Sequence, residues 1–175
     1  MTLTVEDGTG LSDADSYVSE ADCTAYLALH YTSTQLTAWT AATSGDREIW
    51  IRNAAQYMVA QYRSRWSGER YLETQALDFP RDGMLDTDGF ELDYDEVPQV
   101  VKDAQCELAF RASSAELMPD TAAASGNITS ESKSGAGFSK SITYGSGGKP
   151  TQSSYELVSK LLAPFIVQGA RVLRG

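Results

Sequence analysis

One stretch of the chain predicts a long amphipathic helix against which the rest of the protein must pack. Between residues 46 and 66, apolar side chains recur three or four positions apart, which places them on one face of an α-helix. Thr43 or Ser44 can cap the first turn, and Gly68 is a natural helix end. The stripe consists of Ile51, Ala54, Ala55, Met58, Tyr62 and Trp66.

An earlier stretch predicts a shorter helix that begins behind Ser19. The Ser19 side chain can accept a hydrogen bond from the opening turn, and Asp22 stands where a loose capping box requires an acid. A short helical segment over residues 35–42 is expected to follow. The apolar face of the first helix consists of Cys23, Tyr26, Leu27 and His30.

Two more helices are predicted in the second half of the chain. One opens at Pro98, a residue suited to a first helical position, and continues to about Leu117. The other begins behind Ser153, where Glu156 completes a capping box, and Pro164 ends or kinks it. Their apolar faces contain Val101, Ala104, Leu108 and Ala112 in the first, and Leu157, Val158, Leu161, Leu162 and Phe165 in the second.

Residues 67–96 form a long connection without a helical pattern. Connections longer than about 15 residues are uncommon in compact domains and are usually functional or disordered. Pro80, Gly83 and Gly89 mark turns, and apolar residues recur between them. We therefore expect an ordered loop held to the core by Leu72, Leu77, Phe79, Leu85, Phe90 and Leu92.

The composition changes to Ser, Thr, Ala and Gly over residues 120–152. Two short β-leaning runs, 128–133 and 139–144, are separated by a Gly-containing turn, which predicts a mobile β-hairpin arm. A flexible linker is the alternative interpretation. The candidate contact residues of the arm are Ile128, Phe138, Ile142 and Tyr144.

Together these patterns predict an all-α fold, a four-helix bundle with a long ordered loop, a β-hairpin-like arm before the last helix and an extended C-terminal tail. The bundle would comprise residues 15–118 and 153–164, the arm 120–152 and the tail 165–175, in a single domain over 1–175. The tail is apolar with two arginines, a composition that favours a partner surface.

Charge and composition restrict the function. The 175-residue chain has a formal net charge of −10, and lysine and arginine supply nearly all non-specific DNA affinity, so it is a poor default DNA binder. No apolar run approaches the ~20 residues that span a bilayer, and the first ten residues lack a signal-peptide pattern, so we expect a cytoplasmic origin. Cys23 and Cys106 are expected to be buried thiols.

Catalytic and metal-binding patterns are missing from the sequence. The single histidine, His30, lies on an apolar helix face, which favours a core or interface position. The acidic run over 82–96 fails as a calcium loop, because Met84 would occupy the first ligand position. We therefore expect no enzyme activity, no cofactor and no metal site. One stretch, Tyr57 to Tyr71, could stack bases and contact phosphate, although core packing is the favoured alternative.

Several motifs in order resemble the head-to-tail connector family of tailed bacteriophages, some members of which are labelled DnaT-like single-stranded DNA-binding proteins. A helix rich in small residues leads into an aromatic-x-Gly-x-Arg turn, then an aromatic-Pro-Arg segment, then a Val-Pro pair that opens a helix containing Glu-Leu-Ala. The residues that carry the resemblance are Trp66, Gly68, Arg70, Phe79, Pro80, Arg81 and Pro98.

The resemblance implies a structural virion protein, an adaptor ring subunit in the neck between capsid and tail. Its partners would be further copies in a ring of about twelve subunits, the portal protein, a neck or tail-completion protein, and double-stranded DNA passing without specific binding. Phe79 would be buried and Arg81 would pair with an acid. A single-stranded DNA-binding replication-accessory protein is the alternative. The candidate portal-docking residues are Phe165, Ile166, Val167, Arg171, Val172, Leu173 and Arg174.

Overall fold

Five α-helices and four β-strands form in residues 2–119, 128–134, 139–144 and 155–167, the part of the chain that the computed structural model describes. The helices are α1 (Glu20–His30), α2 (Thr37–Ala41), α3 (Ser44–Tyr62), α4 (Gln99–Ala112) and α5 (Glu156–Leu162), and α5 continues into a 3₁₀ turn, Ala163–Phe165. The strands are β1 (Glu69–Arg70), β2 (Arg81–Asp82), β3 (Ile128–Ser134) and β4 (Ser139–Tyr144).

The chain divides into two compact units. The first combines Met1–Leu117 with Tyr155–Gly175, and the second is Met118–Ser154. The first unit holds all five helices and the short β1–β2 pair. The candidate functional residues whose side chains are described all lie in the first unit.

Helix α4 lies at the centre of the first unit, with α1, α3 and α5 packed around it. Its buried positions include Val101, Ala104 and Leu108, as the apolar stripe predicted. Because helices pack on several sides of α4, Gln105 is buried as well. Its side-chain oxygen accepts a hydrogen bond from the Tyr17 backbone N–H at 2.8 Å. The amide nitrogen of Gln105 donates to Ser16 Oγ at 3.0 Å and to the Ile51 carbonyl at 2.9 Å. One buried amide thus joins α4, α3 and the N-terminal segment.

Side-chain caps begin α1 and α3 as predicted. Ser19 Oγ accepts a hydrogen bond from the Asp22 backbone N–H at 3.1 Å, and Thr43 Oγ1 accepts one from the Asp46 backbone N–H at 3.2 Å. Each cap satisfies an N–H group that the opening turn leaves without a helical partner. Local sequence is therefore enough to place the starts of these two helices.

The predicted all-α four-helix bundle is wrong, and the fold is mixed. Helices α2 and α5 have five and seven residues, too short to run the length of a bundle. Antiparallel strand pairs form as well, β1 with β2 and β3 with β4. Helical periodicity dominated the prediction because it extends over many residues, whereas the β1–β2 pair has two residues on each side and no periodic pattern.

The ends of three helices differ from the prediction. Helix α3 ends at Tyr62, because the chain turns after it and brings Trp66 into an antiparallel bridge with Ile166. Helix α4 ends at Ala112, before the predicted Leu117. Helix α5 begins after Tyr155 without a side-chain cap, and the predicted cap Ser153 lies outside the described residues.

The second unit contains a β-hairpin at the two predicted runs. Strands β3 and β4 pair antiparallel from Ser134↔Ser139 to Ile128↔Tyr144, with an irregularity between Ile128 and Ser130. The two predicted strands are confirmed at the level of the backbone. The other predicted arm residues, including Phe138, lie outside the described part of the chain, and the contacts of Ile128, Ile142 and Tyr144 stay predictions.

Cys23 and Cys106 are free and buried, as predicted. Their thiols meet where α1 packs on α4, and the hydrogen bond with Cys23, together with burial, raises the pKa of Cys106. Such thiols stay protonated and unreactive. In the part of the chain that the structure describes, no helix combines the length and apolar character that crossing a membrane requires.

Candidate functional site

Most of the connection between α3 and α4, residues 67–96, is an ordered element that we call the strap. Its first turn contains Gly68, with φ of +63°. A Cβ atom at Gly68 would lie 2.3 Å from the Asp82 carbonyl oxygen, so only glycine fits this turn. Glu69 and Arg70 of β1 then pair with Asp82 and Arg81 of β2, which closes the base of the strap.

Arg81 anchors the strap because its side chain donates hydrogen bonds to backbone carbonyl groups. Its guanidinium donates from Nε to the Ser67 carbonyl at 2.8 Å, from Nη2 to the Gly68 carbonyl at 2.8 Å and from Nη1 to the Asp78 carbonyl at 3.2 Å. The prediction that Arg81 pairs with an acid is therefore wrong, because the turn directs three carbonyl groups at the planar donor fork. Burial lowers the pKa of Arg81, and the nearby Asp78 charge opposes that shift.

Asp78 holds the strap to α3 and to the residues just after it. Its carboxylate is 1% exposed and accepts hydrogen bonds from Arg63 Nε at 2.6 Å and from Trp66 Nε1 at 3.1 Å. The Trp66 ring packs edge-on against Phe79, with centroids 4.9 Å apart, and Phe79 is fully buried as predicted. The Tyr17 hydroxyl accepts from the Asp78 backbone N–H at 2.9 Å, and burial raises the pKa of Tyr17.

A hydrogen bond joins Pro80 to Gln75, a residue for which the sequence predicted no structural role. The Phe79–Pro80 peptide is cis, and the Pro80 carbonyl accepts hydrogen bonds from Tyr71 N at 3.2 Å and from Gln75 Nε2 at 3.1 Å. Gln75 is 3% exposed, and its side-chain oxygen accepts from Leu72 N at 2.8 Å. The partners of the Gln75 side chain are backbone groups, which are present at every residue and carry no sequence signal, so its structural role was missed.

Six of the seven motif residues meet at the base of the strap, and the seventh lies at its end. Pro98 is the N-cap of α4, with ψ of 138°, one position before the helical residue that was predicted. Arg70 donates from Nη1 to the Gln75 carbonyl at 3.2 Å and is otherwise exposed. The motif residues therefore build one structural anchor. They are Trp66, Gly68, Arg70, Phe79, Pro80 and Arg81 at the base, and Pro98 at the end.

Beyond β2 the strap forms a small antiparallel projection, residues 84–92, that we call the finger. The Asp86 N–H donates to the Phe90 carbonyl at 2.9 Å, and the Leu92 N–H donates to the Met84 carbonyl at 2.9 Å. The Asp86 carboxylate accepts from the N–H groups of Asp88 and Phe90 at 2.9 and 2.8 Å. The tip is therefore ordered by its own hydrogen bonds.

The outer side chains of the strap do not hold it to the core as predicted. Phe90 is 71% exposed and Leu85 is 53% exposed, whereas Leu77, Phe79 and Met84 are buried. The finger projects from the surface, so the side chains of Leu85 and Phe90 face solvent. Leu72, 39% exposed, and Tyr94, 51% exposed, add to the apolar surface of the strap.

The cluster of aromatic residues and arginines after Tyr57 is mostly internal. Tyr57, Tyr62 and Trp66 are buried, Arg63 pairs with Asp78, and Arg65 lies over the Tyr62 ring at 5.7 Å. Among the rings from 57 to 71, Tyr71 alone is substantially exposed, and it packs against Tyr94 with centroids 5.3 Å apart. The core-packing interpretation of this stretch is thus confirmed for three of its four rings.

His30 is exposed at the end of α1, so of the two predicted positions, core or interface, the core position is wrong and the interface position stays a prediction. Its Nδ1 lies 2.8 Å from the Tyr26 carbonyl, and its ring stacks on Tyr26 at 4.2 Å. The buried polar group on this side of α1 is Glu107 of α4. Its carboxylate accepts hydrogen bonds from Tyr26 and Tyr31 and pairs with Arg111 at 2.6 Å. Among the described residues, no group of acids, histidines or cysteines converges as a metal site would.

The start of the predicted docking tail belongs to the core. Phe165 and Ile166 are buried, and the Phe165 carbonyl accepts a hydrogen bond from Ser67 N at 2.8 Å. Val167 donates to the Arg65 carbonyl at 2.8 Å, while its side chain is 41% exposed. The other candidate docking residues, Arg171, Val172, Leu173 and Arg174, lie outside the described residues.

The model of a family described as "Putative DnaT-like ssDNA binding protein" matches residues 1–175. No curated protein and no solved structure matches the sequence. The description of the family favours the single-stranded DNA-binding alternative over the adaptor.

Proposed function

We propose that the chain, which belongs to this DnaT-like family, is a structural assembly protein, a head-to-tail adaptor subunit of a tailed bacteriophage. The proposal is supported by the ordered motif series, which includes Trp66, Phe79 and Arg81. It places the protein in the virion neck, as a ring subunit that joins the portal to a neck or tail-completion protein. No catalytic residue or cofactor enters this function.

The observation that carries the proposal is that most of the motif residues make their contacts inside the fold. Trp66 and Phe79 pack against each other, and Arg81 donates to backbone carbonyls. Residues engaged in this way are not available to stack bases or to contact phosphate. The side chains of Trp66, Phe79 and Arg81 are therefore explained by the stability of the strap, and the outer surface of the protein is left for contacts with partners.

Charge supports the same function. A chain with a formal charge of −10 in a ring of about twelve copies would carry on the order of −120 charges before counter-ions bind. An acidic channel repels the phosphate backbone and lets DNA slide without adhesion. A closed ring also requires two different complementary faces on each subunit. The exposed finger is one candidate face, and the tail that follows Val167 is another.

Single-stranded DNA binding is the second candidate, and the family description favours it. The described surface that suits it best is the exposed pair Tyr71 and Tyr94, with Arg70 nearby in the chain. Aromatic rings can stack on bases without sequence preference. However, Glu69, Glu73 and Asp95 adjoin these residues in the sequence and would repel phosphate.

A DNA titration distinguishes the two functions. We expect a fluorescently labelled oligothymidine to show little binding at moderate salt, because a chain with a net charge of −10 repels phosphate. Anisotropy should be measured at two salt concentrations, with Tyr71→Ala and its neighbour Leu72→Ala as a matched pair. Tight binding that falls steeply with salt and is lost in Tyr71→Ala but retained in Leu72→Ala would contradict the adaptor proposal and support the second candidate.

A further inference from the structure

An apolar groove lies beside α3, where the N-terminal segment and the strap border the helix. The groove holds about 330 Å³, a volume at the lower end of the range for ligand pockets, and its lining is mostly aliphatic. Every residue of the finger is described by the structure, and none of them lines this groove. We call it the α3 groove, and its apolar floor consists of Ala14, Ala55, Val59, Ala60 and Leu77.

One end of the α3 groove presents a cation. Arg63, just past the end of α3, pairs with Asp78 at 2.6 Å and donates to the Ala76 carbonyl at 3.1 Å, so it contacts both neighbours of Leu77. The Arg63 side chain is 48% exposed and that of Asp78 is 1% exposed, which leaves the positive charge at the surface. At the opposite end, Arg52 is neutralised by an ion pair at 2.6 Å. The groove therefore suits an apolar side chain that stands beside an acid.

The finger presents such a side chain. Phe90 is 71% exposed, and the Asp86 carboxylate fixes the turn before it by accepting hydrogen bonds from the N–H groups of Asp88 and Phe90. Asp88 is exposed in this turn, and no lysine or arginine occurs between positions 82 and 96. Leu85 forms an antiparallel bridge with Glu91, the neighbour of Phe90, so Phe90 projects from the other face of the finger.

The finger of a second copy of the chain is the occupant that these observations favour. Phe90 would cover the apolar floor of the groove, and Asp88 carries the charge opposite to that of the exposed Arg63. The chain does not place its own finger in its own groove, so both surfaces are open to neighbouring subunits. A closed ring requires two different complementary faces on every subunit, and the finger and the groove meet that requirement.

We propose that the finger of one subunit inserts Phe90 into the α3 groove of the next subunit, with Asp88 beside Arg63. The contact is head to tail, since each subunit gives its finger to one neighbour and its groove to the other. The inference rests on the proposed function, because a ring is the assembly that needs such a contact.

Sedimentation velocity of the full-length protein over a range of concentrations tests the contact. We expect the wild-type protein to self-associate. Phe90→Ala and Ala60→Glu should each raise the dissociation constant at least about tenfold, the effect of removing a buried aromatic anchor or of placing a charge in its pocket. Ala60 is exposed on α3, so the glutamate does not enter the core. The matched controls, Leu85→Ala on the other face of the finger and Ala28→Glu at an exposed position of α1, should associate like the wild type.

A mixture of Phe90→Ala and Ala60→Glu tests whether the contact is head to tail. The first variant keeps an intact groove and the second keeps an intact finger, so one contact can form between them and no further subunit can add. We expect dimers at concentrations at which each variant alone is monomeric. A mixture that stays monomeric, controls that weaken association as much as the two variants, or a wild-type protein that is monomeric at its highest soluble concentration would each overturn the proposal.

The same variants separate this contact from the proposed function. Phe90→Ala and Ala60→Glu should fail to form the rings that the wild-type protein forms on its cognate portal protein. Rings formed by both variants would overturn the contact and leave the adaptor function standing. A portal left bare by the wild-type protein would overturn the adaptor function, and the mixture would then decide the contact by itself.

Discussion

Replacing Trp66 with alanine is expected to lower the free energy of unfolding by about 3–5 kcal/mol. The ring is 6% exposed and contacts Phe79 and Tyr62, with centroids 4.9 and 5.6 Å away. Its removal leaves a cavity where the strap meets α3, and the Asp78 carboxylate loses one of its two side-chain donors. Both losses act on the same buried junction.

The effect of Trp66→Ala can be measured by urea denaturation followed by circular dichroism. Trp66→Phe is the matched control, because it keeps an aromatic ring and removes the Nε1 donor. We expect this control to lose about 1–2 kcal/mol, the cost of one buried hydrogen bond and a small change of volume. An unchanged midpoint in Trp66→Ala would show that the ring does not stabilise this junction.

Arg81→Ala is expected to destabilise the protein by about 3 kcal/mol. The substitution leaves the carbonyl groups of Ser67, Gly68 and Asp78 without their shared donor. Buried acceptors without partners cost about 1–3 kcal/mol each, and water that enters the site recovers part of that cost. Because these carbonyls lie at the base of the strap, the finger should also lose its fixed position.

The measurement for Arg81→Ala combines denaturation with hydrogen exchange of residues 84–92. Exchange should accelerate in the finger while α4 stays protected. Arg70→Ala is the control, since Arg70 is the paired position on β1, is exposed and donates one described hydrogen bond. It should lose less than about 1 kcal/mol. Equal losses in the two variants would show that the three carbonyl contacts add nothing.

The sequence was sufficient to predict the helices and strands that depend on residues close to one another in the chain. The caps Ser19 and Thr43 and the stripe on α3 were predicted correctly, because each depends on residues within one or two turns. The strands β3 and β4 followed from two β-leaning runs on either side of a glycine-containing turn. Burial of Phe79 followed from the motif that it shares with Pro80 and Arg81.

Residues with roles set by distant parts of the chain could not be predicted. Gln105 contacts Tyr17 and Ile51, which are 88 and 54 positions away, and nothing near Gln105 indicates these partners. The partners of Arg81 were also missed, because a carbonyl group is present at every residue and carries no sequence signal. In the same way, apolar content alone could not show that Phe90 projects from the surface.

Electron microscopy of the protein mixed with its cognate portal protein tests the adaptor proposal most directly. The proposal predicts rings of this protein stacked on the portal, with about the symmetry of the portal and with an open central channel. Portal rings that stay bare at saturating protein, in a preparation that binds single-stranded DNA with strong salt dependence, would contradict it and favour the second candidate.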